Sequence, residues 1–329
     1  MKTILVFGAS GNVGLYLLDY LKEHLNLQEY RLAAVGRKNI PFFSKNDIDF
    51  FKVDIQRVED FSILPVNDVY AVVHLANMLP ARMKDYDPHL YLNINTIGTL
   101  NILEYMRKVK AKRILFTQTY ADLGGYFGRE LVLTNSLPRR LNYRGDHAVY
   151  AISKCAAVEL MEHFHQEYGI DNYVFRLPNI YMYSPEKYYY VDGVKTLVSY
   201  RYMIERAMRG EPIEMWGNPD IGRDIVYVKD LCQMMYLGLL CKRNTGIYNV
   251  GTGKMTTMRE QIEGMIEVFS PVDKKSQIIP KPEKRNSMSY VMDIKEAREE
   301  LGYVPKYDYI SYLKDYKSEM QSKRWEGMR

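Results

Sequence analysis

Residues 3–14, TILVFGASGNVG, decide the fold of this 329-residue chain. The segment begins with a continuous apolar run, which is typical of a parallel β-strand buried on both faces. Glycines follow at Gly8, Gly11 and Gly14, where the strand is predicted to turn into a helix. The first permits a tight turn, the second lets the backbone approach a pyrophosphate, and the third lets the helix pack closely on the strand. Since the amides at a helix N-terminus favour negative charge, we expect a phosphate-binding turn, with a purely structural turn as the alternative.

The residues that follow alternate between strand and helix patterns. Apolar spacing predicts a helix from Val13 to Leu25, and two further helices are predicted over 91–109 and 149–168. The strands between them are predicted in the segments YRLAAVG, IDFFKVDI, VYAVVHLAN, RILFTQT and NYVFRLPNIY. Strands that alternate with helices in this way predict an α/β fold with a doubly wound parallel sheet and right-handed crossovers.

The pattern changes after Asn179. The segment YMYSPEKYYYVDG is predicted to be an irregular loop, and a helix is predicted from Val194 to Met208. Short strands are predicted in RDIVYVKDL and GIYNVGTG, and a helix that ends at Gly302 is predicted in VMDIKEAREELGYVP. We therefore predict a dinucleotide-binding domain over residues 1–178 and a smaller α/β substrate domain over 179–329, with part of 224–250 returning to the parallel sheet.

The composition is that of an ordinary globular protein. Hydrophobic residues make up 47% and charged residues 26%, and the formal net charge is +5. The basic clusters PRRLNYR and KPEKR are short and interrupted, so no nucleic-acid-binding surface is predicted. The apolar runs at the N-terminus and in MMYLGLL are too short for a signal peptide or a membrane span. We therefore expect a cytoplasmic protein that does not bind membranes.

Three cysteines, Cys155, Cys232 and Cys241, lie in apolar segments predicted to be helical. Their number is odd, and their spacing does not match that of a metal site. We predict buried thiols in a reducing compartment and no metal centre.

The end of the second strand, AVGRKN, bears on cofactor choice. Enzymes that prefer NAD usually carry an acidic residue there, which holds the hydroxyls of the adenosine ribose. This chain has Gly36, Arg37 and Lys38 instead. A guanidinium suits the 2′-phosphate of NADP, so the sequence favours NADP, with NAD possible if these are only exposed loop charges.

The segment VYAISKCAAVEL, residues 149–160, places Tyr150 and Lys154 one helical turn apart on the same face. This spacing alone fits a solvated helix face as well as an acid/base pair.

With these features together, the chain resembles the extended short-chain dehydrogenases/reductases, specifically the NAD(P)-dependent nucleotide-sugar epimerase/dehydratase group with its Rossmann sheet. The resemblance rests on the glycine turn, VDI, HLAN, NTIGTLNILE, FTQTYADLGG, FRLPNIY, GRDIVYVKD, YNVGTG and EELGYVP. It implies catalytic roles for Thr119, Tyr150, Lys154 and Asn95, and substrate contacts from Thr119, Asn179 and Arg223. It also implies cofactor contacts from Gly8, Ser10, Gly11, Asn12, Val13, Gly14, Arg37, Asp54, Ile55, Leu75, Ala76, Tyr150 and Lys154.

The catalytic set has a chemical rationale. A free tyrosine has a pKa near 10, and Lys154 and a cationic nicotinamide would lower that of Tyr150 so that it can act as a base. Thr119 would hydrogen-bond the same sugar oxygen. Tyr120 and Ala121 stand where the group's dehydratases carry Asp-Glu, so 4,6-dehydration is not expected. Asn77 stands where the group has a small residue.

The resemblance implies a nucleotide-sugar epimerase that acts at C4 through a 4-keto intermediate. The alternatives are an NADPH-dependent 4-keto-sugar reductase and a non-catalytic dinucleotide-binding regulator. The expected partners are a nucleoside-diphosphate sugar and a second copy of the chain, because the helices over 95–109 and 149–168 resemble those of the group's homodimer interface. The tyrosines at 181, 183 and 188–190 fit either nucleobase stacking or packing between the domains.

Overall fold

The computed structural model describes residues 1–129, 132–191, 193–243 and 245–327. The strands in these ranges are β1 (Lys2–Phe7), β2 (Tyr30–Gly36), β3 (Asp49–Lys52), β4 (Val69–His74), β5 (Arg113–Thr119), β6 (Val132–Leu133), β7 (Asp171–Leu177), β8 (Ile180–Tyr181), β9 (Tyr188–Val191), β10 (Val194–Leu197), β11 (Ile213–Trp216), β12 (Gly222–Arg223), β13 (Val226–Tyr227), β14 (Thr245–Asn249), β15 (Thr256–Thr257), β16 (Ile278–Lys281) and β17 (Val291–Met292).

The helices are α1 (Asn12–His24), α2 (Pro41–Lys45), α3 (Pro88–Tyr91), α4 (Gly98–Val109), α5 (His147–Tyr168), α6 (Ser199–Met208), α7 (Val228–Leu240), α8 (Met258–Phe269), α9 (Lys295–Leu301) and α10 (Tyr309–Glu319). Short 3₁₀ segments lie at Val58–Ile63, Pro80–Arg82, Tyr120–Tyr126 and Lys323–Trp325, and a π-helical turn at Leu92–Ile97 joins α3 to α4.

The central sheet has seven strands in the described part of the chain, in the order β14-β7-β5-β4-β1-β2-β3. Every neighbouring pair is parallel. Helices α1 and α7 pack on one face, and α4 and α5 pack on the other. The central strands β1 and β5 are buried on both faces, which explains their continuous apolar runs. The predicted α/β fold with a doubly wound parallel sheet is confirmed.

The edge strand β14 comes from late in the chain and pairs with β7. Residues beyond 178 therefore contribute to the sheet as well as to the smaller elements. The division into domains at residues 178 and 179 stays a prediction.

The Tyr-rich segment differs from the sequence prediction. An irregular loop was expected, but β9 and β10 form an antiparallel hairpin, with Asp192 outside the described residues. The helix expected from Val194 begins only at Ser199. Gly193 has a φ of +77°, which reverses the chain and sets the following residues as a returning strand.

Other boundaries also shift. The long helix expected over 91–109 contains the π-helical turn, and α7 begins within the expected strand RDIVYVKDL. In the last predicted helix, Val291–Met292 instead pairs with β6 as a strand. Helix α9 ends as expected at Gly302, which has a φ of +71°.

Residues near the C-terminus pack against α1. Trp325 is 1% exposed, and its ring centroid lies 5.7 Å from that of Tyr16 and 5.9 Å from that of Tyr183. The Arg324 guanidinium pairs with Asp19 at 2.5 Å. The Tyr16 hydroxyl donates to the Tyr183 carbonyl oxygen at 3.2 Å. This aromatic cluster joins the first helix to the last residues of the chain.

The tyrosines between β8 and β9 divide into two groups. Tyr181 and Tyr183 are buried and pack against Tyr200, Tyr312, Tyr316 and Trp325. Tyr188 is 38% exposed on the hairpin. Packing is therefore the role that the structure gives to Tyr181 and Tyr183.

The cysteines are free thiols, with Cys155 and Cys232 buried and Cys241 half-buried, so the expectation of a buried thiol was wrong for Cys241. Over the described ranges, no helix is long and apolar enough to cross a membrane. Nor do those ranges contain a group of three His, Cys, Asp or Glu side chains that could hold a metal ion.

Candidate active site

The glycine turn after β1 has the geometry of a phosphate cradle. Gly8 has a φ of +80°, and a Cβ there would lie 2.6 Å from the Ala76 amide nitrogen. A Cβ on Gly14 would lie 2.5 Å from the Ala9 carbonyl oxygen, so the third glycine lets α1 pack on the turn. Gly11 is exposed at the start of α1, where no side chain caps the helix and no acidic residue stands in the first turn. The first amides of α1, including those of Asn12 and Val13, are therefore placed to bind phosphate.

The segment after β4 borders this cradle. The Leu75 amide donates to the Phe7 carbonyl oxygen at 2.9 Å, and Ala76 faces Gly8. The Asn77 side chain donates to the Leu75 carbonyl oxygen at 3.1 Å. Asn77, which stands where the family has a small residue, is thus held by its own loop.

The residues expected at the adenosine end lie after β2 and β3. Ser10 is half-buried, and a Cβ on Gly36 would lie 4.0 Å from its hydroxyl oxygen, while Arg37 is exposed. Asp54 accepts hydrogen bonds from the Gln56 amide and side chain at 3.1 and 3.2 Å. Ile55 is buried against Gly98, where a Cβ would lie 2.5 Å from the Ile55 Cδ1 atom. The glycine turn, the exposed Arg37 guanidinium and the Asp54 carboxylate together fit a nicotinamide dinucleotide.

Thr119 and Tyr150 meet at the carboxyl edge of the sheet. Thr119 ends β5, Tyr150 lies in the first turn of α5, and both are buried. Burial raises the pKa of Tyr150, and a hydrogen bond with the Thr119 side chain lowers it. The Thr119 hydroxyl and the Tyr150 phenol therefore lie close together, and their shared catalytic role stays a prediction.

Lys154 follows on the same helix and is 1% exposed. Its ammonium lies 3.8 Å from the ring centroid of Phe116, and burial lowers its pKa to about 7. We expected Lys154 to lower the pKa of Tyr150, but burial dominates and raises it. The Lys154 ammonium instead lies over the Phe116 ring.

Asn95 lies in the π-helical turn and is 1% exposed. Its side chain accepts from the Met78 amide at 2.7 Å and donates to the Met78 carbonyl oxygen at 3.2 Å and the Ser153 hydroxyl at 3.0 Å. The Ser153 hydroxyl donates to the Tyr150 carbonyl oxygen at 2.8 Å. Asn95 thus joins the loop after β4 to the first turn of α5, and its contacts are those of a positioning residue.

The sequence reasoning missed Ser153, although a hydroxyl directly before Lys154 was a visible signal. It gave His74 no chemical role. The His74 Nε2 atom lies 2.9 Å from the Thr99 hydroxyl, and that hydroxyl donates to the Asn95 carbonyl oxygen at 2.6 Å. The buried histidine therefore supports the irregular turn that carries Asn95.

Two of the expected substrate-binding residues lie later in the chain than α5. Asn179 is exposed after β7, and Arg223 is half-buried in β12. The next residue, Asp224, is fully buried and accepts hydrogen bonds from the Thr252 amide at 2.8 Å and the Gly253 amide at 3.1 Å. Asp224 was not foreseen, and its contacts fix the strand that carries Arg223.

Comparison with known proteins identifies relatives of this chain. The model of the NAD dependent epimerase/dehydratase family matches residues 4–251. A protein of Methanocaldococcus jannaschii named "Putative UDP-glucose 4-epimerase" is 27% identical over 310 residues, which cover 93% of this chain and 94% of that protein. UDP-glucuronic acid decarboxylase 6 of Arabidopsis thaliana is 27% identical over 311 residues, covering 92% and 84%. The crystal structure of the Thermotoga maritima UDP-glucose 4-epimerase with UDP-glucose matches 98% of this chain and 100% of its own with a TM-score of 0.75 at 24% identity, which shows the shared fold.

Proposed function

The chain belongs to the NAD-dependent epimerase/dehydratase family, and on that premise we propose that it is a nucleotide-sugar epimerase which inverts C4 through a 4-keto intermediate. The observation that carries this proposal is the meeting of Thr119 and Tyr150 in one buried site, with Lys154 a turn further along the same helix. A regulator that only binds a dinucleotide needs none of these three side chains.

Each of these residues has a distinct task in the proposed reaction. A nicotinamide dinucleotide held by the glycine turn would supply the acceptor and donor of the hydride at the sugar carbon. Burial raises the pKa of Tyr150 in the protein alone, so the proposal needs the positive charge of a bound nicotinamide to favour the phenolate. Tyr150 then takes the proton of the C4 hydroxyl and later gives it back, and Thr119 hydrogen-bonds the same oxygen while its charge develops. Lys154 holds the nicotinamide ribose. Asn179 and Arg223 hold the diphosphate, so that the keto sugar can turn its other face without leaving the cleft.

The test is an incubation with UDP- and GDP-hexoses, a trace of cofactor and deuterated water. Epimers at C4 are expected without net change in nicotinamide absorbance, and the hydrogen at C4 is expected to come from the substrate and not from solvent. Stoichiometric NADPH oxidation by a 4-keto sugar, with no epimer from any hexose, would establish the reductase instead. Release of carbon dioxide from UDP-glucuronate would indicate the activity after which the plant relative is named.

An NADPH-dependent 4-keto-sugar reductase is the second candidate, because Arg37 is exposed after β2. NADPH commonly serves reductions, and Arg37 stands where an NAD enzyme usually carries an acid. We propose that NADP(H) binds more tightly than NAD(H) and that Arg37 is the cause. The family is named for NAD and neighbouring structures contain NAD, so the proposal rests on Arg37 alone.

The substitution Arg37→Ala tests this preference. A charge-assisted hydrogen bond contributes about 1.5–3 kcal/mol, so the variant should lose roughly ten- to a hundredfold in NADP(H) affinity and little in NAD(H) affinity. Fluorescence titration with both cofactors measures the change, and Lys45→Ala, whose ammonium pairs with Glu326, is the control. Equal affinities in the unsubstituted protein would refute the preference.

We also propose a homodimer built on α4 and α5. The side chains of Leu92, Ile97 and Ile152 on or beside these helices are 40%, 44% and 38% exposed. Sedimentation at micromolar concentration should show a dimer, and Ile152→Glu should shift it to a monomer because a charge would be buried in the interface. A monomeric unsubstituted protein would contradict this proposal.

A further inference from the structure

A buried ion pair near the carboxyl edge of the sheet connects β7 to the 3₁₀ segment that follows β5. The Nε atom of Arg176 donates to the Asp122 carboxylate at 3.0 Å, and the two residues are 3% and 1% exposed. The same guanidinium donates from Nη1 to the side-chain oxygen of Asn249 at 3.0 Å, and Asn249 ends β14. Three separate segments of the chain therefore meet at one buried guanidinium.

This ion pair closes the turn that contains Thr119. In the sheet, Arg176 of β7 lies beside Gln118 of β5, the residue directly before Thr119. The chain then turns back in the 3₁₀ segment, so that Asp122 reaches the same Arg176 side chain. Residues 118 and 122 are thus both held at Arg176, the first by pairing of the strands and the second by the ion pair. The position of the turn between them is fixed at both ends.

The Thr119 side chain is oriented by contacts within this turn. The Thr119 amide donates to the Gln118 side-chain oxygen at 2.8 Å, and the Thr119 hydroxyl oxygen accepts from the Ala121 amide at 3.2 Å. A hydroxyl has a single proton and can accept as well as donate. Because the oxygen accepts from Ala121, the proton stays available for the Tyr150 phenol or for a substrate oxygen. The direction of the hydroxyl therefore depends on where the 3₁₀ segment places the Ala121 amide.

A contribution to stability alone is a weak explanation for this ion pair. Removing two charges from water costs free energy that their attraction need not repay, and apolar side chains of similar volume often stabilise a core as well. A buried pair with defined geometry does, however, fix the relative position of the segments that carry it.

We propose that Asp122 and Arg176 are positioning residues, and that their ion pair holds the turn which directs the Thr119 hydroxyl to the C4 oxygen of the sugar. This inference rests on the proposed function, since that function gives the Thr119 hydroxyl its task.

Asp122→Asn tests the inference, because the substitution keeps the size of the side chain and removes its charge. In enzyme loaded with cofactor, kcat for C4 epimerisation should fall about ten- to a hundredfold, since a misplacement of about 1 Å can cost that much, while KM stays nearly unchanged. In a Thr119→Val background, which lacks the hydroxyl, Asp122→Asn should cause no further loss of kcat. Equal losses in the two backgrounds would overturn the inference and leave the pair a purely structural role.

Asp171→Asn is the matched control. Asp171 pairs with Arg113 at 3.6 Å, so this ion pair joins the same two strands at their opposite ends, and the variant should keep the unsubstituted kcat. If Asp122→Asn does not fold, Arg176→Lys replaces it, because lysine keeps the charge but lacks the planar fork that reaches both Asp122 and Asn249. An unchanged kcat in Arg176→Lys would then overturn the inference.

Crystal structures of the unsubstituted protein and of the variant separate this inference from the proposed function. If no hexose is epimerised but the Thr119 hydroxyl is displaced from the Tyr150 phenol in the variant, only the proposed function fails. If the Thr119 hydroxyl keeps its place in the variant, the inference fails whatever the activity of the enzyme.

Discussion

Tyr150→Phe is expected to lower turnover about a hundred- to ten-thousandfold while cofactor binding stays nearly unchanged. The ring would keep its packing against Tyr91, whose centroid lies 5.9 Å away, and only the proton-transfer group would be lost. Steady-state assays of the C4 epimerisation measure the first effect, and fluorescence titration with the nicotinamide cofactor measures the second.

Tyr168→Phe provides the control for this experiment. Tyr168 ends the same helix and is 41% exposed, far along the chain from the first turn of α5. Its variant should turn over at the unsubstituted rate. A Tyr150→Phe enzyme with near-normal turnover would remove Tyr150 from the reaction and leave the proposed mechanism without its base.

Trp325→Ala is expected to lower the free energy of unfolding by about 3–5 kcal/mol, as is usual when a large buried aromatic side chain is truncated. Trp325 is 1% exposed between Tyr16 and Tyr183, so its removal leaves a cavity at the junction of the first helix and the chain end. The indole nitrogen has no hydrogen-bond partner in the described structure, and the loss should therefore be one of packing. Urea denaturation followed by circular dichroism measures the change.

The second tryptophan of the chain supplies the matched control. Trp216 is 49% exposed, and Trp216→Ala should cost no more than about 0.5 kcal/mol, the range of most surface substitutions. If the two variants unfolded at the same urea concentration, the C-terminal cluster would not contribute to stability.

The features that sequence could predict are those with local causes. A Cβ at Gly8 or Gly14 would collide with neighbouring backbone, so only glycine fits there. The spacing of the glycines in the sequence therefore predicts the turn. The strands β1 and β5 are buried on both faces and read as unbroken apolar runs. The four-residue spacing of Tyr150 and Lys154 likewise placed both on one helix.

The features that sequence did not predict depend on contacts between distant segments. The π-helical turn is fixed by the bonds of Asn95 to Met78 and Ser153, which no local pattern reveals. The effect of burial on the Tyr150 pKa likewise depends on the packed site. The hairpin of β9 and β10 is different, because its Asp192-Gly193 pair is a local hairpin signal that the sequence analysis did not use.

The late origin of β14 has a consequence for synthesis on the ribosome. Strand β7 ends at Leu177, but the strand that covers its edge begins only at Thr245. At typical synthesis rates of about 5–20 residues per second, one edge of β7 stays unpaired for several seconds, while its other edge can pair with β5. Such an edge is a template for pairing with another chain, so we expect newly made protein to require chaperone protection there until Asn249 has emerged.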